Sequence, residues 1–356
     1  MRAIINPNVL ELAAYSVPDS SGLIKLDAME NPYPMPEELR EPWLQAIADC
    51  NLNRYPDPKA SALVSTLRRI NQIPDSCGLL LGNGSDELIQ IILTAVAVPG
   101  VSVLAPEPTF VMYGQIAKSL GLAYSGIPLL HENFALDLDR MHAAIRLDRP
   151  SVIFLSYPNN PSGNLLNRSD LESIISKAPG LVVIDEAYAP FADATFLDRV
   201  SDWPNLLVMR TVSKLGLAGL RLGYLVGHPA WIEQFEKIRL PYNINVLTQV
   251  SAEIALSNYP LYETQSKQIR LERESLFQEL TELDGIIAYP SRTNFILFKL
   301  TGRDATEAFQ ELRDAGILVK NLSRGHALLN RCLRVTVGNP NENSQFISAL
   351  KKVIAI

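Results

Sequence analysis

Cysteine and histidine are scarce in this 356-residue chain. Its three cysteines, Cys50, Cys77 and Cys332, stand far apart. They form neither a disulfide framework nor a metal pattern, and read as small buried hydrophobes in a reducing compartment. The four histidines, His131, His142, His228 and His326, are equally scattered, with no His, Cys or Asp beside them at ligand spacing, so no metal site is expected. Lys and Arg make no cluster or stripe and the net charge is −6, which excludes a nucleic-acid footprint and leaves small molecules as the expected partners. No apolar run is long enough to cross a membrane, and the N-terminus lacks the charged-then-apolar pattern of a secretory signal. A cytoplasmic protein without nucleic-acid or membrane partners is expected.

Core material, by contrast, is plentiful: 47% of residues are hydrophobic and 20% charged, which suits a soluble protein of more than one domain. Residues 1–34 read as an irregular arm, because Pro7, Pro18, Pro32 and Pro34 interrupt any period. Helices are predicted over 37–50 and 59–71, with the proline-rich Asn53-Arg54-Tyr55-Pro56-Asp57-Pro58 between them. An aromatic fixed in such a loop could reach a neighbouring subunit. Next, Leu79-Leu80-Leu81 runs as a short strand into Gly82-Asn83-Gly84-Ser85 and an apolar helix. Tight turns at the glycines would aim the free N–H groups of the helix start, with the Ser85 hydroxyl, at a phosphate. The same residues would serve equally as a plain helix start capped by Ser85 or Asp86. A strand over 101–104, a loop over 106–110 and a helix over 111–120 follow, with Phe110 placed either to stack on a flat ring or to join the core.

From residue 152 apolar runs alternate with helical segments, which indicates a mostly parallel sheet whose ligand crevice lies at the carboxyl ends of its strands. After Val152–Leu155 comes Tyr157-Pro158-Asn159-Asn160; after Leu181–Ile184, Asp185-Glu186-Ala187-Tyr188; after Leu206–Met209, Arg210-Thr211-Val212-Ser213-Lys214. An amide, a carboxylate with a phenol, and a lysine thus reach one edge. By itself Lys214 could be a surface lysine in a Gly-rich loop. Partial burial would instead lower its pKa and make it a nucleophile toward an aldehyde. Pyridoxal phosphate is the aldehyde these neighbours suit. Asp185 can keep a pyridine nitrogen protonated, Asn160 and Tyr188 can hydrogen-bond a phenolic oxygen, and Thr211, Ser213 and Arg221 can take a phosphate. Beyond about residue 240, helices over 246–257, 262–283, 305–315 and 343–354 alternate with strands over 293–298 and 332–337, an ordinary α+β pattern.

Taken together, Glu30-Asn31-Pro32, Asn53–Asp57, Gly82–Glu87, Pro158–Gly163, Asp185–Tyr188, Ser213-Lys214, Leu217–Arg221 and Leu333–Thr336 resemble, along nearly the whole chain, the fold-type I, aspartate-aminotransferase-like family of pyridoxal-phosphate enzymes. Within it the resemblance is to the histidinol-phosphate aminotransferases. It implies an α/β fold with a mostly parallel seven-stranded sheet in a large domain (35–240), a smaller α+β domain (241–356) and an arm (1–34) that joins the smaller one. It further implies that Lys214 is the Schiff-base lysine, with Asp185 and Tyr188 catalytic beside it. Asn160 and Tyr188 would meet the phenolate, Phe110 the ring face, and Gly84, Ser85, Thr211, Ser213 and Arg221 the phosphate, with Asp86 a further cofactor-binding residue. Tyr55 would complete the phosphate site of the other subunit of a homodimer with shared active sites. Tyr15, Glu30, Asn31, Lys320 and Arg334 would contact substrates, expected to be L-histidinol phosphate and 2-oxoglutarate. Aromatic amino-acid transamination, phospho-amino-acid decarboxylation and cofactor binding without turnover are its rivals. Three departures stand out: Arg221 follows Lys214 by one residue fewer than is common, Lys320 replaces an arginine, and Met29 replaces an asparagine.

Overall fold

The computed structural model describes residues 4–14 and 17–355. In chain order, α1 (Pro7–Leu10), β1 (Ile24–Lys25), α2 (Arg40–Ala48) and α3 (Ser61–Asn71) precede the first strand of the main sheet. That sheet is built from β2 (Gly78–Gly82), β3 (Ser102–Glu107), β4 (Ala123–Pro128), β5 (Val152–Ser156), β6 (Leu181–Asp185), β7 (Leu206–Thr211) and β8 (Gly223–Gly227). Helices α4 (Gly84–Ala95), α5 (Met112–Ser119), α6 (Leu138–Asp148), α7 (Arg168–Lys177) and α8 (Pro229–Glu236) connect or follow these strands. The remainder comprises α9 (Val246–Ser257), α10 (Tyr259–Thr281), β9 (Ile286–Ala288), β10 (Phe295–Leu300) and α11 (Ala305–Asp314), then β11 (Ile317–Leu318), β12 (Lys320–Asn321), β13 (Cys332–Thr336) and α12 (Pro340–Ile354).

The seven-stranded sheet has the order β2-β8-β7-β6-β5-β3-β4 and is parallel except at β8, which runs antiparallel to both neighbours. The expected mostly parallel sheet is therefore present. Its central strands β5 and β6 are buried at every position, as strands covered by helices on both faces must be. Alternate side chains feed two cores. Ile153, Val182, Ile184, Leu206 and Val208 enter one, with α3, α7 and α9. Phe154, Val183, Leu207 and Met209 enter the other, with α4, α5 and α8. The period of two thus fixes which side of the sheet each later residue meets.

A second, antiparallel sheet of order β12-β13-β10-β9 packs with α11 and α12 around its own core, centred on Phe295, Phe298 and Phe346. The arm joins it: Ile24 and Lys25 pair in parallel with Ile317 and Leu318, and the Thr336 N–H donates to the Leu26 carbonyl at 2.8 Å. The structure departs from the sequence reading in several places: α1 and β1 lie in the arm expected to be irregular, and α8 and β9 are additional to it. Pro106 and Glu107, expected in a loop, lie in β3, and neither β4 nor α6 had been anticipated. As the edge strand, β4 is only half buried and so carries no continuous apolar run to mark it.

Candidate active site

The carboxyl ends of β2, β3, β5, β6 and β7 open onto one cavity of about 100 Å³. Strand parity selects its walls. Ser156, Asp185 and Thr211 continue the series of Phe154, Val183 and Met209, and all three line the cavity. Arg210 continues the series of Leu206 and Val208 and leaves on the opposite side of the sheet.

Lys214 sits in a wide turn over Ser213–Leu217 that is broken at Gly216, where φ is 126°. Its Nζ donates to the Ala28 carbonyl of the arm at 3.1 Å. The turn is tied down by Asn31, whose Nδ2 donates to the Leu215 carbonyl at 2.9 Å and to Gln265 Oε1 at 3.0 Å. Burial, followed by the nearby Arg334 cation, brings the Lys214 amine down to about 8, so a substantial fraction is uncharged near neutrality. Asp185 shows the opposite shift: burial lifts its carboxyl to about 6. The Tyr113 hydroxyl, donating to Oδ2 at 2.6 Å, and the Ala187 N–H, donating to Oδ1 at 3.0 Å, work against that rise.

Burial also raises the Tyr188 phenol, which keeps it a hydrogen-bond donor; it points to Met29 Sδ at 3.5 Å. Met29 itself lines the cavity with a left-handed backbone, φ 56°. Asn160 accepts from Arg334 Nη1 at 2.6 Å, and the Arg334 guanidinium lies over Phe295 at 5.0 Å. Lys320 stands directly across from Arg334 in the β12–β13 register.

An anion cup closes the other end. Gly84 takes φ 79° to start α4, and the Cβ of any side chain at Gly223 would fall 2.7 Å from the Gly84 carbonyl carbon and 2.9 Å from the Ser85 nitrogen. Only glycine at 223 permits that approach. Ser85 and Asp86 begin the helix, the Thr211 and Ser213 hydroxyls lie 2.9 Å apart, and Arg221 reaches Ser213 Oγ at 3.4 Å and Asp86 Oδ2 at 3.5 Å. The shorter spacing from Lys214 is accommodated by the Gly216 kink and by a left-handed Arg221, φ 48°. Phe110 forms the remaining wall.

The structure therefore brings together Ser85, Asp86, Phe110, Asn160, Asp185, Tyr188, Thr211, Ser213, Lys214 and Arg221 around the cavity, with Gly84 and Arg334 one contact behind. Glu30 lies outside it in an ion pair with Lys25. Tyr55 is 81% exposed and stacked on Tyr242 at 4.5 Å, away from this chain's own cavity, and Tyr15 lies outside the described residues. Sequence reasoning missed Ser156 and Tyr113. Ser156 was recoverable from strand parity, whereas an aromatic three residues into a helix carries no signal beyond core. A larger cavity of about 380 Å³ lies across the sheet, but Arg210 there is already bonded to Glu186, Thr195 and Asn71.

A near-neutral amine, a buried carboxylate and an anion cup around a flat-walled slot are what a phosphorylated pyridine aldehyde requires, and the residues present fit it. This fold and this site define a fold-type I pyridoxal-phosphate enzyme. The family described as "Aminotransferase class I and II" matches residues 21–350, and the chain belongs to it: the protein is an aminotransferase whose cofactor is pyridoxal 5′-phosphate. It is 53% identical over 347 residues, 98% of this chain and 96% of the relative, to histidinol-phosphate aminotransferase 2 of Nitrosococcus oceani. It is 49% identical over 349 residues, 98% of this chain and 97% of the relative, to histidinol-phosphate aminotransferase 1 of Burkholderia lata. Among solved structures it is similar to the Sinorhizobium meliloti histidinol-phosphate aminotransferase in complex with pyridoxal-5′-phosphate, with a TM-score of 0.88 at 25% identity, covering 99% of this chain and 97% of that one. No helix among the described residues is long and apolar enough to cross a membrane.

Proposed function

We propose that this aminotransferase moves the amino group of L-histidinol phosphate to 2-oxoglutarate, giving imidazole-acetol phosphate and L-glutamate, and that it works as a cytoplasmic homodimer. The observation that carries the substrate is the 53% identity, across nearly the whole chain, to an enzyme named for it. When bound, pyridoxal phosphate supplies an electron sink for the pair released at the substrate carbon that bears nitrogen. In this reading Lys214 would hold the cofactor through its aldehyde carbon and, once freed, would take the proton from that substrate carbon and deliver it to the cofactor carbon it had held. Asp185 accepts the ring N–H, Asn160 and Tyr188 hold the phenolic oxygen, and Phe110 covers one ring face. Gly84, Ser85, Thr211, Ser213 and Arg221 hold the phosphate, with Asp86 orienting Arg221.

On the substrate side Arg334 takes the glutamate carboxylate in one half-reaction and the substrate phosphate in the other, a dual use suited to a planar, fixed cation. Lys320 adds a second positive charge one strand over. Histidinol phosphate presents a phosphate where free aromatic amino acids present a carboxylate, so discrimination between them rests on how these cations receive the larger, more highly charged anion. Catalytic efficiency with L-histidinol phosphate, phenylalanine and tyrosine as donors tests the reading. A preference for either free amino acid would overturn it in favour of an aromatic aminotransferase. Arg334→Ala is expected to damage both half-reactions by about one to two powers of ten, whereas Lys320→Ala should raise KM for histidinol phosphate more than for glutamate.

The dimer is supported by an exposed apolar face: Tyr55 stacked on Tyr242, with Leu52, Leu240 and Leu247 also exposed. Tyr55 from one subunit would complete the phosphate cup of the other. Sedimentation of a fully active monomer at assay concentration would reject this. Free Cys50, Cys77 and Cys332 support a reducing compartment; recovery of the protein in an exported fraction would reject the cytoplasmic placement.

A further inference from the structure

We infer that Tyr113 is a positioning residue for Asp185: its phenol fixes the carboxylate and keeps it ionised to receive the cofactor's ring N–H. The inference rests on the proposed pairing of Asp185 with the pyridine nitrogen. Tyr113 lies on α5, three residues after Phe110, and is fully buried. Its hydroxyl donates to Asp185 Oδ2 at 2.6 Å. The ring cannot swing away, because it is stacked on Phe154 at 4.6 Å with planes 8° apart and meets the Phe110 ring edge-on at 5.6 Å. One side chain therefore locks the carboxylate and buttresses the aromatic wall beside it.

The chemistry explains why such a donor is needed. Asp185 is 3% exposed, and among the described residues the only other donor to its carboxylate is the Ala187 N–H. Its neighbours are mostly adverse to charge: Asp86 from α4 and Glu186 from its own strand end both push its carboxyl up, as burial does. Tyr188 faces Tyr113 from the loop after β6, Ser156 approaches from the end of β5, and the Lys214 and Arg221 cations line the same cavity. Burial and Asp185 together hold the Tyr113 phenol far above its usual range, so at any working pH it donates and never competes as an anion. A charge-assisted hydrogen bond from a neutral phenol stabilises the carboxylate selectively over the carboxylic acid.

The test uses the full chain stripped of cofactor and reads the dissociation constant of added pyridoxal phosphate from pH 5 to 9. Below its pKa Asp185 must release a proton before it can accept the ring N–H, so wild-type affinity is expected to fall as pH drops below about 6. In Tyr113→Phe the carboxyl loses its donor, its pKa rises, and the falling limb should move upward by about one pH unit, with affinity at pH 9 little changed. A limb that stays at the wild-type pH overturns the inference, since a merely structural tyrosine would weaken binding at every pH alike. Asp185→Asn separates the two readings, because it leaves only the limb of the cofactor phosphate, which itself protonates at about pH 6. A shallower limb there with none of the shift in Tyr113→Phe rejects the role of Tyr113 alone, whereas a limb as steep in Asp185→Asn as in the wild type rejects the pyridine pairing and the inference with it. Should Tyr113→Phe not fold, 3-fluorotyrosine placed at position 113 alone makes a stronger donor and should move the limb to lower pH; no movement overturns the proposal.

Discussion

Two acid–base pairs stand back to back on the same strand ends, and they have been put to opposite uses. Glu186 and Arg210 face the α3 side of the sheet, with Arg210 Nη2 2.7 Å from Glu186 Oε2. Burial opposes the Arg210 charge, yet Glu186 outweighs it and holds the guanidinium above its usual value. Thr195 and Asn71 take further Arg210 donors, and Glu186 accepts from the Phe196 N–H and the Thr195 hydroxyl. One residue earlier on β6 and four later after β7, Asp185 and Lys214 face the α5 side. There burial moves the acid up to about 6 and the base down to about 8. The first pair is saturated with hydrogen bonds; in the second, the acid and the amine each titrate closer to a working pH, where either can take up or give back a proton. A shift of one residue along a strand decides between them, because it changes the side of the sheet.

The sharpest way to break the contrast is to remove one member of each pair. Lys214→Ala is expected to lower turnover by roughly 10⁴-fold while the circular dichroism of the cofactor-free chain stays unchanged; full turnover in that variant would end the assignment of the second pair to catalysis. Arg210→Ala leaves Glu186 buried and uncompensated, and should cost about 3–5 kcal/mol of stability in denaturant unfolding. Its activity per folded molecule should remain close to wild type. If Arg210→Ala instead abolished turnover without loss of stability, the two sides of the sheet would not be separate in function.

The smallest expected effect concerns pH. Only the uncharged amine attacks an aldehyde, so the rate at which the cofactor-free chain captures pyridoxal phosphate should rise with pH and level off above about 8. Arg334→Ala removes a cation that helps lower the Lys214 pKa, and the midpoint should then move upward. Stopped-flow absorbance measures both, and a wild-type midpoint close to that of a solvated lysine would mean that the amine is not buried in solution.

Much of this site could be read before any coordinates. Lys214, Asp185 and Asn160 sit within a few residues of strand ends whose apolar runs are unmistakable, and parallel strands deliver their ends to one edge. Tyr113 could not be read in that way. Its partner lies 72 positions away, and the contact exists only because α5 packs on the sheet with the Tyr113 ring stacked on Phe154 of β5. Asn31 shows a different limit: expected at the substrate, it is bonded to the Leu215 carbonyl and to Gln265, so its hold on the lysine turn depends on α10 lying nearby, a tertiary fact. The fold was legible where strands are buried on both faces and illegible at β4, whose edge position relaxes the demand for apolar side chains.

The pairing of β1 with β11 also sets an order in time. A ribosome makes the arm before the sheet, and the whole seven-stranded sheet is complete once Gly227 has emerged. Ile24 and Lys25 cannot find Ile317 and Leu318 until nearly the whole chain has followed. Ala28, whose carbonyl receives the Lys214 amine, and Met29, which meets Tyr188, are carried on that same arm. The lysine pocket is thus framed early and covered late, although the segment that covers it is made before the sheet that frames it.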